Sequence, residues 1–273
     1  MDNKINAARL GFENLGKIYG NAENVTVNKT VIENVDCFWI ENQSQISKSK
    51  IVIYLHGGGF VLGSIQSHQA LVSHLARQLS LPILFIEYSL APEKPYPNAI
   101  NDILSVYEHL LRQYPKIDIV FMGDSSGGGL AISTISKINE REMRPPTFMV
   151  LLSPQVDLTC TNESFITNAQ SDPVLTKKFV QDFSNLYVGE YKLSEANPIE
   201  TMFGQFPQTL ILVGSGEILL DDSKSIYKKL VSQQVKTKLS IYENQNHVWI
   251  LKNINTEASK KTIKEIYDFI WLA

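Results

Sequence analysis

The pattern of apolar segments from residue 51 onward constrains the fold more than any other feature of this 273-residue chain. Runs of six or seven mostly apolar residues alternate with longer segments whose apolar residues recur at helical spacing. Such runs are typical of strands buried on both faces, and the helices between them are the crossovers that parallel strands need. We therefore predict an α/β fold with a mostly parallel central sheet flanked by helices. The runs are 51–56, 82–88, 118–123, 148–153, 209–214 and 238–243, and the helical patterns lie at about 66–80, 98–114, 126–140, 222–234 and 255–271.

Three segments fall outside this alternation. Residues 1–20 have apolar side chains at helical spacing, and residues 24–41, rich in Val and Thr, predict one or two antiparallel strands. More than fifty residues separate the run "FMVLLS" from the run "TLILVG", which is too long for a plain crossover. We predict one domain over residues 1–273, with a small helical cap formed by about 1–22 and by an insertion at about 160–206. Such a cap would cover the carboxyl ends of the strands, where open α/β sheets bind ligands.

The composition excludes several classes of protein. A net charge of −3 gives no support for nucleic acid or an anionic membrane as a partner. No apolar run approaches the ~18 residues of a membrane span, and the first residues lack the apolar core of a secretory signal. The two cysteines, Cys37 and Cys160, are too few for a secreted disulfide scaffold. We expect a cytoplasmic protein with reduced thiols.

The stretch "GDSSGGGL" carries the first sign of chemistry. Gly123 and Gly127 flank Ser125 at two residues on either side, giving the pattern G-x-S-x-G between a predicted strand and a predicted helix. A serine on such a sharp turn is strained, and side chains two residues away would collide. The alternatives are an ordinary glycine-rich turn and a phosphate-binding loop. The second is unfavourable because neither G-x-x-x-x-G-K-[ST] nor G-x-G-x-x-G is present.

A nucleophilic serine needs a base, and position separates the five histidines. His68, His74 and His109 lie on predicted helices, where each is expected to be an ordinary residue, partly buried or on the surface. His56 directly precedes three glycines and is expected to order that loop. His247 follows the strand "KLSIYE", so its loop returns to the carboxyl edge of the sheet, where Ser125 should lie. His247 is therefore the predicted base.

The base in turn needs an orienting acid, placed between the serine and the histidine along the chain. The stretch "LILVGSGEILLDDS" offers Glu217, Asp221 and Asp222. Glu217 comes first after the strand and is the predicted acid. Asp221 is held in reserve, because a carboxylate where a helix begins is also a natural cap.

Three consecutive glycines follow His56. Acyl transfer builds negative charge on the carbonyl oxygen of the substrate, and backbone amides free of side chains can stabilise it. We predict an oxyanion hole formed by the amides of Gly57, Gly58 and Ser126. The sequence has no H-E-x-x-H motif and no clustered Cys/His ligand set, so we expect neither a metal nor an organic cofactor.

These motifs together resemble the hormone-sensitive-lipase-like family of α/β-hydrolases. The resemblance covers most of the chain from about residue 50 and implies that Ser125 is the nucleophile, Glu217 the acid and His247 the base. It also implies that Asp124 supports the turn, and because many relatives pair as dimers it allows a homodimer. Ser126 and Glu217 stand where many relatives carry Ala and Asp. The matching segments are "HGGGF", "YSLAPEKPYPNAI", "GDSSGG", "SPQVDL", "DP", "EILLDD" and "NHVW".

The resemblance implies a serine carboxylesterase that hydrolyses short-chain acyl esters through an acyl-enzyme intermediate. An amidase or arylformamidase is the nearest alternative, since the same machinery serves either leaving group. A non-catalytic ligand-binding homologue is a further alternative, although such a protein would be expected to lack a triad residue. Four aromatic residues are candidates for lining an apolar pocket or for packing the cap: Phe60, Phe165, Phe179 and Phe183.

Overall fold

A computed structural model describes residues 2–43, 49–202 and 204–272. Eight strands form one sheet in the order β1-β2-β4-β3-β5-β6-β7-β8. Strands β3 to β8 are parallel to one another, while β1 and β2 form an antiparallel hairpin that joins β4. This confirms the predicted mostly parallel sheet and the antiparallel strands. The strands are β1 Val25–Ile32, β2 Val35–Asn42, β3 Lys50–Leu55, β4 Ile83–Ile86, β5 Asp118–Asp124, β6 Phe148–Leu152, β7 Gln208–Gly214 and β8 Thr237–Tyr242.

Helices cover both faces of the sheet, as the alternating pattern predicts. The short helices α5, α7 and α9 have no counterpart in the sequence prediction, because a single turn carries too little apolar periodicity to be recognised. A 3-10 turn, Asn14–Lys17, extends the first helix. The helices are α1 Asp2–Glu13, α2 Ile65–Leu79, α3 Asn98–Gln113, α4 Ser126–Glu140, α5 Ser164–Thr167, α6 Lys177–Val188, α7 Leu193–Ala196, α8 Leu220–Ser232, α9 Trp249–Lys252 and α10 Glu257–Leu272.

The core is divided in two by the sheet, because successive side chains of a strand point to opposite faces. In β3, Ile53 and Leu55 pack into the cluster under α3 and α4, whereas Val52 and Tyr54 pack into the cluster under α2 and α10. All four side chains are fully buried. Burial on both faces explains why this strand is a continuous apolar run rather than an alternating one.

Helix α1 is attached to the loops at the carboxyl end of the sheet. The Arg9 guanidinium donates to the backbone carbonyls of Val61 and Ala91, each at 2.9 Å, and pairs with the Glu93 carboxylate at 2.7 Å. These contacts hold the N-terminal segment beside the glycine loop.

The insertion between β6 and β7 is attached to the same end of the sheet. Asp172 accepts hydrogen bonds from the backbone amides of Val174 and Leu175 within the insertion, and from the amide of Ile218 after β7. The N-terminal segment and the insertion therefore both lie at the carboxyl end of the sheet. The limits of the domain, and the role of these two segments as a cap, stay predictions. Within the described ranges, no helix has the length and apolarity that crossing a bilayer requires.

The attachment of α1 gives a testable prediction. Replacing Arg9 with methionine should lower the free energy of unfolding by about 2 kcal/mol, because two backbone carbonyls lose their donor. Urea titration followed by circular dichroism measures the change. Arg112→Met is the matched control. Among the described residues Arg112 forms only exposed ion pairs, with Glu33 and Glu108, so its loss should cost under about 0.5 kcal/mol. Equal effects of the two substitutions would contradict this account.

Candidate active site

Ser125 lies on the sharp turn between β5 and α4. Its backbone has φ of 51° and ψ of −123°, a left-handed conformation that is strained for a residue with a side chain. A Cβ atom on Gly123 would lie 2.6 Å from the carbonyl oxygen of Gly127, and one on Gly127 would lie 2.1 Å from that of Leu55. The turn therefore requires glycine at both positions, which is the physical reason expected for the G-x-S-x-G spacing.

The structure brings the predicted serine, histidine and acid together. The Ser125 hydroxyl oxygen lies 3.0 Å from His247 Nε2, and His247 Nδ1 lies 2.8 Å from Glu217 Oε2. The three residues follow β5, β8 and β7, whose carboxyl ends meet at one edge of the sheet. Glu217 is fully buried, so its carboxylate acts on the imidazole with little screening by water.

Ser153 fixes the Glu217 carboxylate and was not singled out from the sequence. Its hydroxyl donates to Glu217 Oε1 at 2.8 Å and accepts from the backbone amide of Val248, the residue after His247, at 3.2 Å. The amide of Gly214 donates to the same carboxylate oxygen at 2.6 Å. Ser153 directly follows the buried strand β6. A polar residue directly after an apolar run is therefore the signal by which the sequence could have predicted it at the carboxyl edge of the sheet.

Asp221, the reserve acid, is not placed to orient His247. Its carboxylate accepts from the backbone amide of Ser164 at 2.8 Å and pairs with Lys224 at 3.0 Å. Helix α8 begins at Leu220, one residue earlier, so Asp221 lies in its first turn and faces α5. The reserve assignment is therefore wrong.

Asp222 is a further buried carboxylate that makes no contact with His247. It accepts from the backbone amides of Val156 and Asp157 and from the Asn162 side chain. Burial raises the pKa of Asp222 to about 7, opposed by these hydrogen bonds. Its contacts join α8 to the loop after β6, which indicates a structural role.

The glycine loop differs from the prediction at one position. The backbone amide of Gly57 donates to Asp124 Oδ1 at 3.0 Å, and Gly57 does not line the cavity at Ser125. The assignment of Gly57 to the oxyanion hole is therefore wrong. Gly58 and Gly59 line the cavity, and among the described residues the amides of Gly58, Gly59 and Ser126 have no hydrogen-bond acceptor. Gly59, the third glycine, is the residue that the sequence prediction left out.

Asp124 connects the turn at Ser125 to the glycine loop. Besides the Gly57 amide, its carboxylate accepts from the Tyr54 hydroxyl at 2.9 Å and lies 3.4 Å from His68 Nε2. Burial raises the pKa of Asp124, but the charge and hydrogen bond of His68 and the hydrogen bond of Tyr54 outweigh it, so the pKa lies below its ordinary value. His68, predicted as an ordinary helix residue, is fully buried against this carboxylate.

His56 orders the loop from the other side. Its Nδ1 atom lies 2.8 Å from the carbonyl oxygen of Gly57, and its ring stacks on Tyr88 with centroids 4.2 Å apart. Burial lowers the pKa of His56 to about 3, aided by the neighbouring His68. His56 is therefore neutral near pH 7, and Nδ1 is the atom that donates to the carbonyl.

A cavity of about 410 Å³ opens on Ser125 and His247. Residues of α1, including Phe12, and residues of the insertion, including Phe179, line this cavity. Phe60, Phe165 and Phe183 do not line the cavity among the described residues. Of these, Phe60 stacks on Tyr187 with centroids 3.9 Å apart, so it packs the core. No group of three or more His, Cys, Asp or Glu side chains in the described part of the chain could hold a metal ion.

Comparison with known proteins agrees with this geometry. The sequence profile of a family with the alpha/beta hydrolase fold matches residues 52–251. An esterase of Acinetobacter venetianus is 34% identical over 237 residues, which cover 84% of this chain and 77% of that protein. An acetyl-hydrolase of Streptomyces hygroscopicus is 26% identical over 249 residues, which cover 90% of this chain and 83% of that protein. A solved esterase structure from the bacterial hormone-sensitive lipase family matches with a TM-score of 0.93 at 30% identity, covering 97% of this chain and 90% of that one.

The chain therefore belongs to the α/β-hydrolase family. Its likeness to these esterases makes it a carboxylic ester hydrolase of the hormone-sensitive-lipase-like type, and this confirms the resemblance expected from its motifs.

Replacing Ser153 with alanine tests how the acid is held. The Glu217 carboxylate would lose one of its donors, and the amide after His247 would lose its acceptor, so both residues would be less well positioned. We expect kcat for a p-nitrophenyl ester to fall about tenfold with little change in KM.

Ser136→Ala is the matched control, because Ser136 is equally buried and its hydroxyl donates to the carbonyl of Ile132 within α4. It should leave kcat within about twofold. If Ser153→Ala retained full kcat, Ser153 would have no positioning role.

Proposed function

We propose that Ser125, His247 and Glu217 form a catalytic triad that hydrolyses short-chain acyl esters through an acyl-enzyme intermediate. The observation that carries this proposal is the continuous set of short contacts from Ser125 to His247 to Glu217, at 3.0 and 2.8 Å. Beside it lie three backbone amides that have no acceptor among the described residues. A nucleophile, a base, an orienting acid and donors for an oxyanion are the parts that acyl transfer requires.

The first step forms the acyl-enzyme. His247 Nε2 accepts the proton of the Ser125 hydroxyl as the oxygen attacks the ester carbonyl. The amides of Gly58, Gly59 and Ser126 stabilise the negative charge that develops on the carbonyl oxygen. The tetrahedral intermediate then breaks its bond to the alcohol, which leaves with the proton that His247 returns.

The second step releases the acid. A water molecule enters where the alcohol has left, and His247 takes its proton as the water oxygen attacks the acyl-enzyme. The tetrahedral intermediate then breaks its bond to Ser125, whose oxygen takes the proton back from His247 as the acid leaves. Throughout, Glu217 accepts from His247 Nδ1, which keeps Nε2 free for the serine and stabilises the imidazolium while it exists. Asp124 holds the glycine loop against the turn by accepting from the Gly57 amide.

The cavity supports a preference for short acyl groups. Residues of α1 and of the insertion line it, and its side chains are mainly apolar. A volume of about 410 Å³ matches a small ester better than a long-chain lipid. We propose that residues 1–22 and 160–206 act as the cap that limits chain length.

We also propose a cytoplasmic location and a homodimer. Cys37 and Cys160 are both buried and unpaired, which suits a reducing compartment. β8 lies at the edge of the sheet, where Ile241 is exposed and where a second copy could pair. Cell fractionation tests the location, and light scattering tests the dimer. Recovery outside the cytoplasm, or the mass of a monomer, would contradict the respective proposal.

The series of p-nitrophenyl esters from acetate to palmitate tests the proposed function. We expect the highest kcat/KM for acetate to butyrate and a steep fall beyond, because longer chains exceed the cavity. Ser125→Ala should lower kcat by about a thousandfold or more.

A formamide and an anilide measured alongside separate an esterase from an amidase. Faster turnover of these amides than of the acetate ester would favour the amidase. A folded wild-type protein without activity on any of these substrates would contradict the proposed function.

A further inference from the structure

We propose that Lys252 is a specificity-determining residue that directs this site to esters carrying a carboxylate. The inference rests on the proposed function, because it names a substrate class for the same site. Lys252 is a cation at the wall of the cavity, and no carboxylate among the described residues pairs with it.

Lys252 is part of the wall of the cavity that holds Ser125 and His247. It is the last residue of α9, which begins at Trp249, two residues after His247. Trp249, Ile250 and Leu251 are buried, so this short helix is anchored in the core. The backbone that carries the lysine is thereby fixed relative to the catalytic histidine.

The Lys252 ammonium has no partner in the part of the chain that the structure describes. It makes no ion pair and no side-chain hydrogen bond, although the residue is half-buried. Some other lysines pair with a carboxylate, such as Lys224 with Asp221, Lys260 with Glu257 and Lys264 with Asp268. An unpaired cation at a partly enclosed apolar wall is a favourable place for an anion, since screening by water is reduced there.

The only carboxylate among the described residues that line this cavity is Asp124. It is already occupied by the Tyr54 hydroxyl, the Gly57 amide and His68. Among the described residues, the lining of the cavity that holds Ser125 therefore includes one cation without a counter-charge and no free carboxylate. A substrate carboxylate would supply the missing counter-charge.

A carboxylate fits this wall for chemical reasons. A lysine ammonium offers up to three donors to carboxylate oxygens, and a hydrogen bond to a charged partner is stronger than a neutral one. Most of the other side chains that line the cavity are apolar, among them Phe12 and Leu251. The favoured substrate class is therefore an ester with a short apolar spacer between the scissile bond and a carboxylate.

Matched pairs of substrates test the proposal on purified protein. Mono-p-nitrophenyl glutarate and p-nitrophenyl valerate place a carboxylate, or a methyl group, on the acyl side. 4-Acetoxybenzoate and its methyl ester place a carboxylate, or a neutral methyl ester group, on the alcohol side. The measured quantity is the ratio of kcat/KM for the anionic ester to that for its neutral partner, determined for wild type and variants.

Lys252→Met keeps the length and apolar stem of the side chain and removes the charge. We expect this substitution to lower the ratio about tenfold for at least one substrate pair, as one charge-assisted contact is lost. Lys252→Arg should restore the ratio, and added salt should lower it in wild type but not in Lys252→Met. Lys264→Met, which removes an exposed and paired lysine away from the site, should leave the ratio unchanged.

The outcomes separate this inference from the proposed function. A lowered ratio in one pair supports the inference and shows on which side of the ester the carboxylate lies. Hydrolysis of the neutral esters with the same ratio in wild type and Lys252→Met, for both pairs, overturns the inference and leaves the proposed function standing. If wild type hydrolyses none of the four esters, the proposed function fails, and the inference fails with it.

Discussion

The left-handed conformation of Ser125 is the constraint on which the site depends. The turn is held by hydrogen bonds on both sides: the Ser125 amide donates to the carbonyl of Leu152, and the Ser125 carbonyl accepts from the amides of Gln155 and Gly128. Two of these partners belong to the end of β6 and its loop. The neighbouring parallel strand therefore stabilises a backbone conformation that would otherwise cost about 1–3 kcal/mol.

The carboxyl ends of the strands also position the charged groups of the site. Ser153, the first residue after β6, donates to Glu217 after β7 and accepts from the amide that follows His247 after β8. One hydroxyl thus links three successive connections at the carboxyl edge of a parallel sheet. Because Glu217 is buried and Asp124 accepts from three groups, both carboxylates have defined partners before any substrate binds. Such preorganisation is what makes backbone amides and an imidazole effective in catalysis.

Residues directly after strands were predictable from the sequence, whereas side-chain directions were not. Ser125, Glu217 and His247 each follow an apolar run, and in a parallel sheet those positions meet at one edge. The sequence could not show that the free amide belongs to Gly59 rather than to Gly57. This depends on the direction of the Asp124 carboxylate, which accepts from the Gly57 amide. Periodicity likewise placed His68 on a helix without showing that it faces a buried acid.

The most direct measurement of the central claim is the intact mass of the protein after treatment with diethyl p-nitrophenyl phosphate, followed by peptide mapping. An activated serine attacks this phosphate ester and retains the diethylphosphoryl group, because water cannot readily complete the second step. We expect a single adduct, located on Ser125, and none in Ser125→Ala. A folded wild-type protein without an adduct, or with the adduct on another residue, would contradict it.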